Sequence, residues 1–592
     1  MSHLMHPLRR LLPYYRRYWL PFTAGNALLV GSRGFEAAIP GLLGAGIDRI
    51  AAGRPAGLAI AVGILTCVAG RFAAILVGRR AIRRIGVAVA YDLRNRLYAH
   101  LERQGPGFFA RYRTGDLMAR AINDIGLVRQ LVAQGTRTAL VLGFSGLIGL
   151  ACMFHQSAAL TLWILPPLPL VFGVAWWLSG RLRAESMGVQ EGFSELSERV
   201  QENLGGIRTI QALTQEEAEI LRFAAVNDRY ARRNLELVAT SSRLAAWMPG
   251  LGALCTLTVL LAGGQLVQTG ELSLGAFTAF LWYLGMLLWP VREAGNVVNL
   301  FQRGFAGCDR LFELLDTPPE IADRLAPDAP RELAGRIEIA HVTCRYPGSA
   351  RPALEDVSLS LAAGELVGIV GRVGAGKSTL LRLLVRLLEP STGEIVLDGV
   401  ALAQLPLAVL RSRIALVPQE AFLFSESLRE NVAYDDATRA PAEVRAAAEA
   451  ADLWDTLSAF PEGLETRVGE RGITLSGGQK QRVTLARSFV RDTPVLLLDD
   501  AFSSLDAATE SRVLQRLREL RRGRTTLLVS HRVSAVREAD LIVVLEAGRV
   551  LESGSPAELR ARGGAFAELE RAQGRRERLL RELAEETGGE AA

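Results

Sequence analysis

Lysine is almost absent from this sequence, although basic residues are abundant. Of the 68 lysines and arginines, only Lys377 and Lys480 are lysines. Lysine carries a compact ammonium, whereas arginine presents a planar fork of donors, so the two are not interchangeable at a tight site. A chain that uses arginine nearly everywhere and yet has Lys377 therefore indicates a site there that requires the compact group.

Cysteine is also scarce, and its spacing excludes two classes of site. The five cysteines are scattered and form no C-x-x-C pair, so neither a zinc site nor a disulfide framework is predicted; they are Cys67, Cys152, Cys255, Cys308 and Cys344. No signal peptide is predicted either, because the apolar run after the basic N-terminus is long enough to stay in a membrane.

Hydrophobic residues are plentiful but unevenly spread. The chain has 592 residues, of which 49% are hydrophobic, and its mean hydropathy is +0.20. It is too long for one domain and too apolar for an ordinary soluble enzyme. Long uncharged runs fill roughly the first 300 residues, and the remainder resembles a soluble protein. We therefore expect a membrane half followed by a soluble half.

Six stretches reach the length of about 20 apolar residues that a bilayer requires. The long gaps between the paired stretches are rich in helix formers and charge, which predicts that the spanning helices continue into the cytoplasm and turn there. The predicted spans are Trp19–Ile47, Leu58–Val77, Thr138–His155, Ala158–Leu178, Leu244–Val267 and Leu272–Val291.

The arginines set the predicted orientation. Cytoplasmic flanks of membrane spans carry an excess of arginine and lysine. Arginines precede the first span and follow the second, so the N-terminus, the long gaps and the soluble half are expected in the cytoplasm. This rule also explains the net charge of +6 without any nucleic-acid partner.

Three charged residues lie inside the apolar runs, and they leave two interpretations open. Arg33 and Glu36 share one face of the first span, and Arg71 lies in the second. Charges at membrane depth face a polar cavity or pair with one another, so they mark a substrate pathway or an ion pair that fixes helix packing. Five tryptophans also leave two interpretations open, since they either line a cavity or anchor the spans at the membrane–water interface. They are Trp176, Trp177, Trp247, Trp282 and Trp289.

Proline and strand patterns divide the rest of the chain. Pro166, Pro167 and Pro169 predict a kink in the fourth span.

A polar, proline-rich stretch indicates a linker, after which short apolar strands alternate with helical stretches, as in an α/β domain. The predicted boundaries are 1–315 for the membrane domain, 316–335 for the linker, 336–575 for the α/β domain and 576–592 for a charged tail.

A glycine loop between a predicted strand and a predicted helix indicates a nucleotide site. Gly371 and Gly376, followed by Lys377 and Ser378, fit the G-x-x-x-x-G-K-[ST] pattern with both flanks correct. Glycines let backbone N–H groups curl around phosphates, and the following helix adds its positive end. Lys377 is expected on the β- and γ-phosphates and Ser378 on Mg²⁺; Gly374 and Thr379 complete the predicted nucleotide-binding set.

A second acidic element follows about 120 residues later. Asp499 closes the apolar run "VLLLD", where a P-loop ATPase places the carboxylate that holds Mg²⁺ directly or through water. ATP and Mg²⁺ are therefore the predicted cofactors.

The stretch "LSGGQ" links the chain to one particular protein family. It resembles the signature motif of ATP-binding cassette proteins, and the other motifs of that family follow in order. The resemblance implies that Tyr346 stacks on adenine, that Gln419 belongs to the Q-loop and contacts Mg²⁺, and that His531 is the switch histidine. It also implies a signature, formed by Leu475, Ser476, Gly477, Gly478 and Gln479. A D-loop is implied as well, formed by Ser503, Ser504, Leu505 and Asp506.

The resemblance covers essentially the whole chain. Six spans before one cassette are similar to a half-transporter of the multidrug, lipid and peptide exporter kind. The segment "TRVGERG" resembles one that exporters show before the signature. Residues 108–125 and 202–217 resemble the two cytoplasmic coupling turns. The implied fold is a six-helix transmembrane domain with long cytoplasmic helix extensions, followed by an α/β P-loop ATPase domain.

The family resemblance also implies a dimer and a location. In such proteins the signature serine and glycines cover the ATP that the other subunit's P-loop holds. The expected partners are a second half-transporter, membrane lipid and a drug, lipid or peptide substrate, with no nucleic acid. The expected location is the bacterial inner membrane, with export as the activity.

Asp500 departs from the family pattern. The family has glutamate directly after the Mg²⁺-linked aspartate, as the base that polarises the attacking water. Aspartate is shorter by one methylene, and misplacing a catalytic group by about 1 Å can lower a rate on the order of a hundredfold. The prediction is a hydrolytically weak site in a heterodimer whose partner carries the glutamate. The alternatives are a homodimer in which Asp500 serves as the base, or an ATP-gated or regulatory membrane protein.

Overall fold

A computed structural model describes residues 2–55, 57–323, 333–457, 460–469 and 475–575. Contacts divide the chain into a helical unit, Met1–Glu102 with Arg113–Thr317, and a second unit, Arg103–Tyr112 with Pro318–Ala592. The predicted tail, much of the predicted linker and part of the "TRVGERG" segment lie outside the described residues.

Long helices make up the first part of the chain. π-helical turns interrupt α5 and α9 at Arg120–Asp124, Leu131–Gly135 and Val259–Gly263. In chain order the helices are α1 Ser2–Arg17, α2 Trp19–Ala51, α3 Leu58–Leu101, α4 Pro106–Arg111, α5 Thr114–Gln156, α6 Ala158–Ile164, α7 Pro167–Gly205, α8 Ile207–Ala212, α9 Glu216–Gln268 and α10 Leu274–Asp316.

Several helices are much longer than a bilayer is thick. Helix α3 has 44 residues, which at about 1.5 Å per residue is about 66 Å, against a hydrocarbon core of about 30 Å. The prediction that the spanning helices extend beyond the membrane is confirmed.

Among the described residues, five helical stretches are long and apolar enough to span a membrane: α3, α5, α6 with α7, α9 and α10. Helix α2 is the remaining predicted span. Its 33 residues are sufficient in length, but Arg33 and Glu36 lower the hydropathy of its centre. The helical transmembrane fold is confirmed, and α2 is the span that apolarity alone identifies least well.

Prolines break the fourth span where a kink is predicted. Helix α6 ends at Ile164 and α7 begins at Pro167. Proline lacks a backbone N–H and clashes with the preceding turn, so it is tolerated in the first turn of a helix but not in its interior. Pro166 therefore follows the end of α6, and Pro167 begins α7.

Glycines allow the membrane helices to approach closely. A Cβ built on Gly275 of α10 would overlap the carbonyl oxygen of Gly44 in α2. Beside this contact, the Asp48 carboxylate accepts hydrogen bonds from the Ser273 hydroxyl and the Gly275 N–H, each at 2.7 Å. Helices in membranes associate through small residues of this kind, and an anion at the start of α10 complements the positive end of that helix.

The helical unit has its own apolar core. Residues from α5, α6, α9 and α10 form a buried cluster that includes Met153, Leu160, Cys255, Val259 and Phe280. Helix α7 packs along α9, α2 packs along α3, and α10 packs along both α2 and α5. These contacts show which face of each of these helices packs against another helix of the same chain.

The second unit contains two sheets. A four-stranded antiparallel sheet has the order β2-β1-β4-β5, and a six-stranded, mostly parallel sheet has the order β10-β9-β3-β8-β7-β6. The strands are β1 Ile337–Cys344, β2 Leu354–Leu361, β3 Leu366–Gly371, β4 Thr392–Leu397, β5 Val400–Ala401, β6 Ile414–Val417, β7 Val495–Asp499, β8 Thr525–Val529, β9 Leu541–Glu546 and β10 Arg549–Gly554.

Helices cover these sheets and connect the strands. A final helix over residues 565–575 follows them and is called the C-terminal helix below. The others are α11 Lys377–Leu384, α12 Leu407–Arg413, α13 Leu428–Val432, α14 Pro441–Ala450, α15 Trp454–Leu457, α16 Gly477–Phe489, α17 Ala507–Leu520, α18 Val533–Val536 and α19 Pro556–Arg562.

The sheet order brings three strand ends together. Strands β3, β8 and β7 are parallel neighbours, and both β7 and β8 are buried along their whole length. Parallel strands covered on both faces read as continuous apolar runs, which explains "VLLLD" and "TTLLV". Their carboxyl ends, where ligands bind in open α/β sheets, place the glycine loop, Asp499 and the segment before His531 at one edge.

Candidate nucleotide-binding site

Two glycines shape the loop between β3 and α11. Gly374 has φ +82° and Gly376 has φ +95°, and a Cβ on Gly376 would meet the carbonyl oxygen of Ala353. Residues with a Cβ rarely adopt such φ values, whereas glycine does so without penalty. The loop therefore turns back over the start of α11, which presents its unbonded N–H groups as an anion site.

Lys377 lies inside this loop. Its side chain is 5% exposed, and its ammonium donates hydrogen bonds to the carbonyl oxygens of Gly371 at 2.8 Å and Arg372 at 2.9 Å. Burial lowers the pKa of Lys377, and the nearby Asp500 and Asp499 carboxylates oppose that shift. The compact ammonium fits between these two carbonyl oxygens. This tight site explains why a lysine occurs here in a chain that otherwise uses arginine almost everywhere.

Ser378 and Asp499 form the pair of oxygens expected for Mg²⁺. The Ser378 hydroxyl donates to the Asp499 carboxylate at 2.8 Å. Burial raises the pKa of Asp499, while the hydrogen bond from Ser378 opposes the shift. A hydroxyl and a buried carboxylate beside a phosphate site are the hard oxygen ligands that Mg²⁺ prefers, so these residues fit the metal.

One cavity of about 310 Å³ unites most of the predicted site. Tyr346 lies at its rim, where its hydroxyl is 3.2 Å from the Thr379 hydroxyl. The other lining residues come from the strand ends and the glycine loop: Ala353, Val373, Gly374, Ala375, Gly376, Lys377, Ser378, Gln419, Asp499, Asp500, Val529 and His531.

Asp500 holds an unusual backbone conformation in this cavity. Its φ is +49°, in the left-handed region where aspartate is enriched relative to most residues. Its N–H donates to the Val529 carbonyl at 3.0 Å, and its carboxylate accepts from the His531 N–H at 3.5 Å. The Asp500 carboxylate is thus directed towards the backbone of His531, the predicted switch histidine.

The residues of the predicted signature lie outside this cavity. Ser476 caps α16: its hydroxyl accepts from the Gln479 N–H at 3.3 Å, and its own N–H donates to the Gln479 side chain at 2.8 Å. Ser476 and Gly477 are exposed and do not line the cavity that contains Lys377. Asp506 of the predicted D-loop caps α17 by accepting a hydrogen bond from the Thr509 N–H at 2.9 Å.

Gln481 is a site-associated residue that the sequence did not single out. It is 5% exposed. Its side-chain amide donates to the Ser503 hydroxyl and accepts from the Ser504 N–H, both at 2.9 Å. This residue therefore joins α16, which begins at the predicted signature, to the predicted D-loop. Its only signal in the sequence is its position, one half-turn after the signature.

Gln573 of the C-terminal helix was also missed. Its side-chain amide donates to the His531 carbonyl at 2.6 Å and accepts from the Val533 N–H at 2.8 Å. A single glutamine side chain thus holds the backbone on both sides of Arg532. No local sequence pattern indicates such a contact, since the partners are about 40 residues apart.

The charged residues of the membrane helices form an ion-pair network. Glu36 pairs with Arg33 on its own helix and with Arg71 of α3 at 3.1 Å. These contacts favour the interpretation in which the charges fix helix packing. Trp177 and Trp247 line a separate cavity between α7 and α9, of about 360 Å³.

Comparison with known proteins agrees with this geometry. Residues 23–291 match the family model of the ABC transporter transmembrane region, and residues 354–503 match that of the ABC transporter. The chain belongs to the ABC transporter family. Its helical unit and its glycine-loop unit are therefore the transmembrane and nucleotide-binding parts of an ABC exporter.

Relatives of the ABC exporter cover between 84% and 95% of its length. It is 35% identical to the probable multidrug resistance ABC transporter ATP-binding/permease protein YheI of Bacillus subtilis, over 95% of this chain and 96% of the relative. It is 34% identical to the ATP-dependent lipid A-core flippase of Syntrophus aciditrophicus, over 84% and 83%. It is 33% identical to the multidrug resistance-like ATP-binding protein MdlA of Escherichia coli, over 95% of each.

Proposed function

We propose that this chain exports a hydrophobic or amphipathic compound across a bacterial inner membrane at the expense of ATP. One observation carries the proposal: the cavity at the strand ends unites Lys377, Ser378, Asp499, Asp500 and His531 in a chain that also has spanning helices. The names of the relatives, which include multidrug resistance proteins and a lipid A-core flippase, support an amphipathic substrate.

The residues of the cavity have distinct proposed roles. Lys377 binds the β- and γ-phosphates, and Ser378, Gln419 and Asp499 hold Mg²⁺. Bound Mg²⁺ neutralises charge on the phosphate oxygens. Asp500 orients the attacking water, and His531 contacts the γ-phosphate from the adjacent strand end.

The proposed assembly is a dimer with sites shared between subunits. The exposed Ser476 and Gly477 lie outside their own chain's cavity, so they are free to cover a nucleotide held by a second subunit. An N-terminus of a helix is suited to this role because its N–H groups bind phosphate oxygens.

We further propose that the partner is a different half-transporter. Aspartate at position 500 brings its carboxylate about 1.5 Å less far than glutamate, so ATP bound by this chain's P-loop is hydrolysed slowly. The signature of this chain is complete and serves a partner site that has glutamate. A homodimer would carry the shortened acid twice.

The proposed transport is tested in inverted membrane vesicles that contain the chain together with its co-purifying partner. Uptake of a fluorescent amphipathic dye should require Mg²⁺ and ATP and should be lost in Lys377→Ala. ATP hydrolysis without any uptake, across dyes, lipids and peptides, would contradict export and favour a regulatory membrane protein.

The proposed heterodimer is tested by the composition of the assembly purified from its native host. A second half-transporter with glutamate after its metal-binding aspartate should co-purify in equal amount. The mixed assembly should hydrolyse ATP much faster than this chain alone. A native complex that holds only copies of this chain would contradict the heterodimer.

A further inference from the structure

Asp452 follows the end of α14, at a position where glycine is usual. Its φ is +54°. The Asp452 N–H donates to the Glu449 carbonyl at 3.0 Å, and the Leu453 N–H donates to the Ala448 carbonyl at 2.8 Å. This is the Schellman arrangement, in which the left-handed residue is most often glycine because glycine has no Cβ. The helix end alone therefore does not explain an aspartate here.

The Asp452 side chain is buried against two arginines of α17. The side chain is 8% exposed. Arg512 donates to its Oδ2 atom from Nη2 at 2.7 Å and from Nε at 3.2 Å, and Arg516 donates to its Oδ1 atom at 3.1 Å. Arginines four residues apart lie on one face of a helix. Both carboxylate oxygens are thus bound from a single face of α17.

The backbone of Asp452 contacts a different helix. Its carbonyl oxygen accepts a hydrogen bond from Nη1 of Arg482 at 2.7 Å. Arg482 belongs to α16, which begins at Gly477 in the predicted signature. Because the carbonyl and the carboxylate belong to one residue, Asp452 joins α16 directly to α17.

The contacts of Asp452 extend to the predicted D-loop. Arg512 also donates to the Thr509 hydroxyl at 3.0 Å, and the Thr509 N–H donates to the Asp506 carboxylate at 2.9 Å. Gln481 joins α16 to the predicted D-loop at a separate point. Two bodies that are joined at two separate points cannot rotate about either contact, so the pair of connections fixes an orientation as well as a distance.

A contribution to stability alone does not account for this arrangement. Arg512 and Arg516 are about half exposed, and ion pairs with a partner open to solvent contribute little to the free energy of unfolding. Glycine would also suit the left-handed conformation better than aspartate does. Residues held in such conformations occur where the surrounding structure requires their side chain.

We propose that Asp452 is a positioning residue for the nucleotide site of the partner subunit. It holds α16 against α17 so that the predicted signature and the predicted D-loop reach one nucleotide together. An error of about 1 Å in such a placement can lower a rate on the order of a hundredfold. This inference rests on the proposed dimer with shared sites, and it identifies the residue that holds two of the shared elements in register.

The test uses the full-length chain purified with its partner in nanodiscs. It measures kcat and KM for ATP and the equilibrium binding of trinitrophenyl-ATP. Asp452→Asn keeps the size and tolerates the left-handed φ but removes the charge. Its kcat should fall at least about fivefold, with KM and analogue binding unchanged. Asp452→Gly, which keeps the carbonyl for Arg482, should show the same fall and replaces the first variant if that one does not fold.

Asp492 provides a matched control. It too has a left-handed φ, +48°, and pairs with an arginine, Arg524, which lies outside both α16 and α17. Asp492→Asn should therefore leave kcat unchanged.

A double variant tests whether the ion pairs carry the effect. Arg512→Gln/Arg516→Gln should lower kcat as Asp452→Asn does. Adding Asp452→Asn to it should lower kcat no further, because residues that act as one unit are not additive.

Four results would overturn the proposal: an unchanged kcat in both Asp452 variants, an equal fall in Asp492→Asn, an effect confined to KM, or independent effects of the aspartate and the arginines. Gly477→Asp separates this inference from the proposed dimer, since it places a negative charge where the partner's phosphates are proposed to bind. Intact turnover in Gly477→Asp would contradict the shared site and, with it, this role. Lost turnover in Gly477→Asp beside a normal kcat in Asp452→Asn would contradict the role of Asp452 alone.

Discussion

Asp500 combines two features at the scale of a single residue. Its φ of +49° is a conformation that aspartate tolerates better than most side chains, and its carboxylate accepts from the His531 N–H. Both features hold a short acid close to the backbone at the strand ends. The length of this side chain therefore determines how far its charge extends into the cavity, where the γ-phosphate is proposed to bind.

The first prediction extends this acid. Asp500→Glu moves the carboxylate outward by about 1.5 Å and should raise the Mg²⁺-dependent ATP turnover of the chain alone by about ten- to a hundredfold. Asp500→Asn, which keeps the size and removes the charge, should show no increase. Rapid turnover by the unaltered chain that Asp500→Glu leaves unchanged would show that aspartate is an adequate base.

At the scale of elements, Gln481 joins α16 to the predicted D-loop through two hydrogen bonds. Gln481→Met keeps the volume and removes both hydrogen bonds, each worth about 1 kcal/mol. ATP turnover of the assembly with the partner should fall several-fold, while nucleotide binding at this chain's P-loop stays unchanged. Gln515→Met, on the exposed side of α17, is the matched control. Equal turnover in the two variants would assign Gln481 no part in positioning.

Gln573 makes a similar connection from the C-terminal helix to the backbone of residues 531–533. Gln573→Met should lower the kcat for ATP at this chain's site several-fold with little change in KM, since it frees the backbone on both sides of Arg532 without touching the nucleotide. Gln573→Glu keeps the acceptor for the Val533 N–H but places a second acceptor oxygen against the His531 carbonyl, so its effect should be at least as large as that of Gln573→Met. A change in KM alone would contradict this role.

Sequence reasoning succeeded where local patterns decide the structure. The strand and glycine loop around Lys377, the acid after "VLLLD" and the break at Pro166 all follow from short-range rules. Gln481 and Gln573 escaped prediction because each acts through a partner distant in the chain. For the same reason the sequence left Arg33, Glu36 and Arg71 open between two interpretations, and only their three-dimensional contacts favour the ion-pair network.

At the scale of the whole molecule, the contact between α2 and α10 depends on two glycines. Gly275→Ala would place a methyl group against the Gly44 carbonyl, and such overpacking costs about 1–3 kcal/mol. The thermal unfolding midpoint of the detergent-solubilised protein should therefore fall by several degrees. Gly285→Ala on the same helix meets no atom within 4 Å and should have almost no effect. Equal midpoints for the two variants would contradict the close approach.

The long uninterrupted helix α3 has a mechanical consequence. Prolines lie inside α2, α9 and α10 and can bend those helices, whereas Leu58–Leu101 contains none. This helix should act as a stiff lever about 66 Å long. A force applied at the Leu101 end would then tilt the whole helix as one body and move its other end, at Leu58, instead of being absorbed by a bend in between.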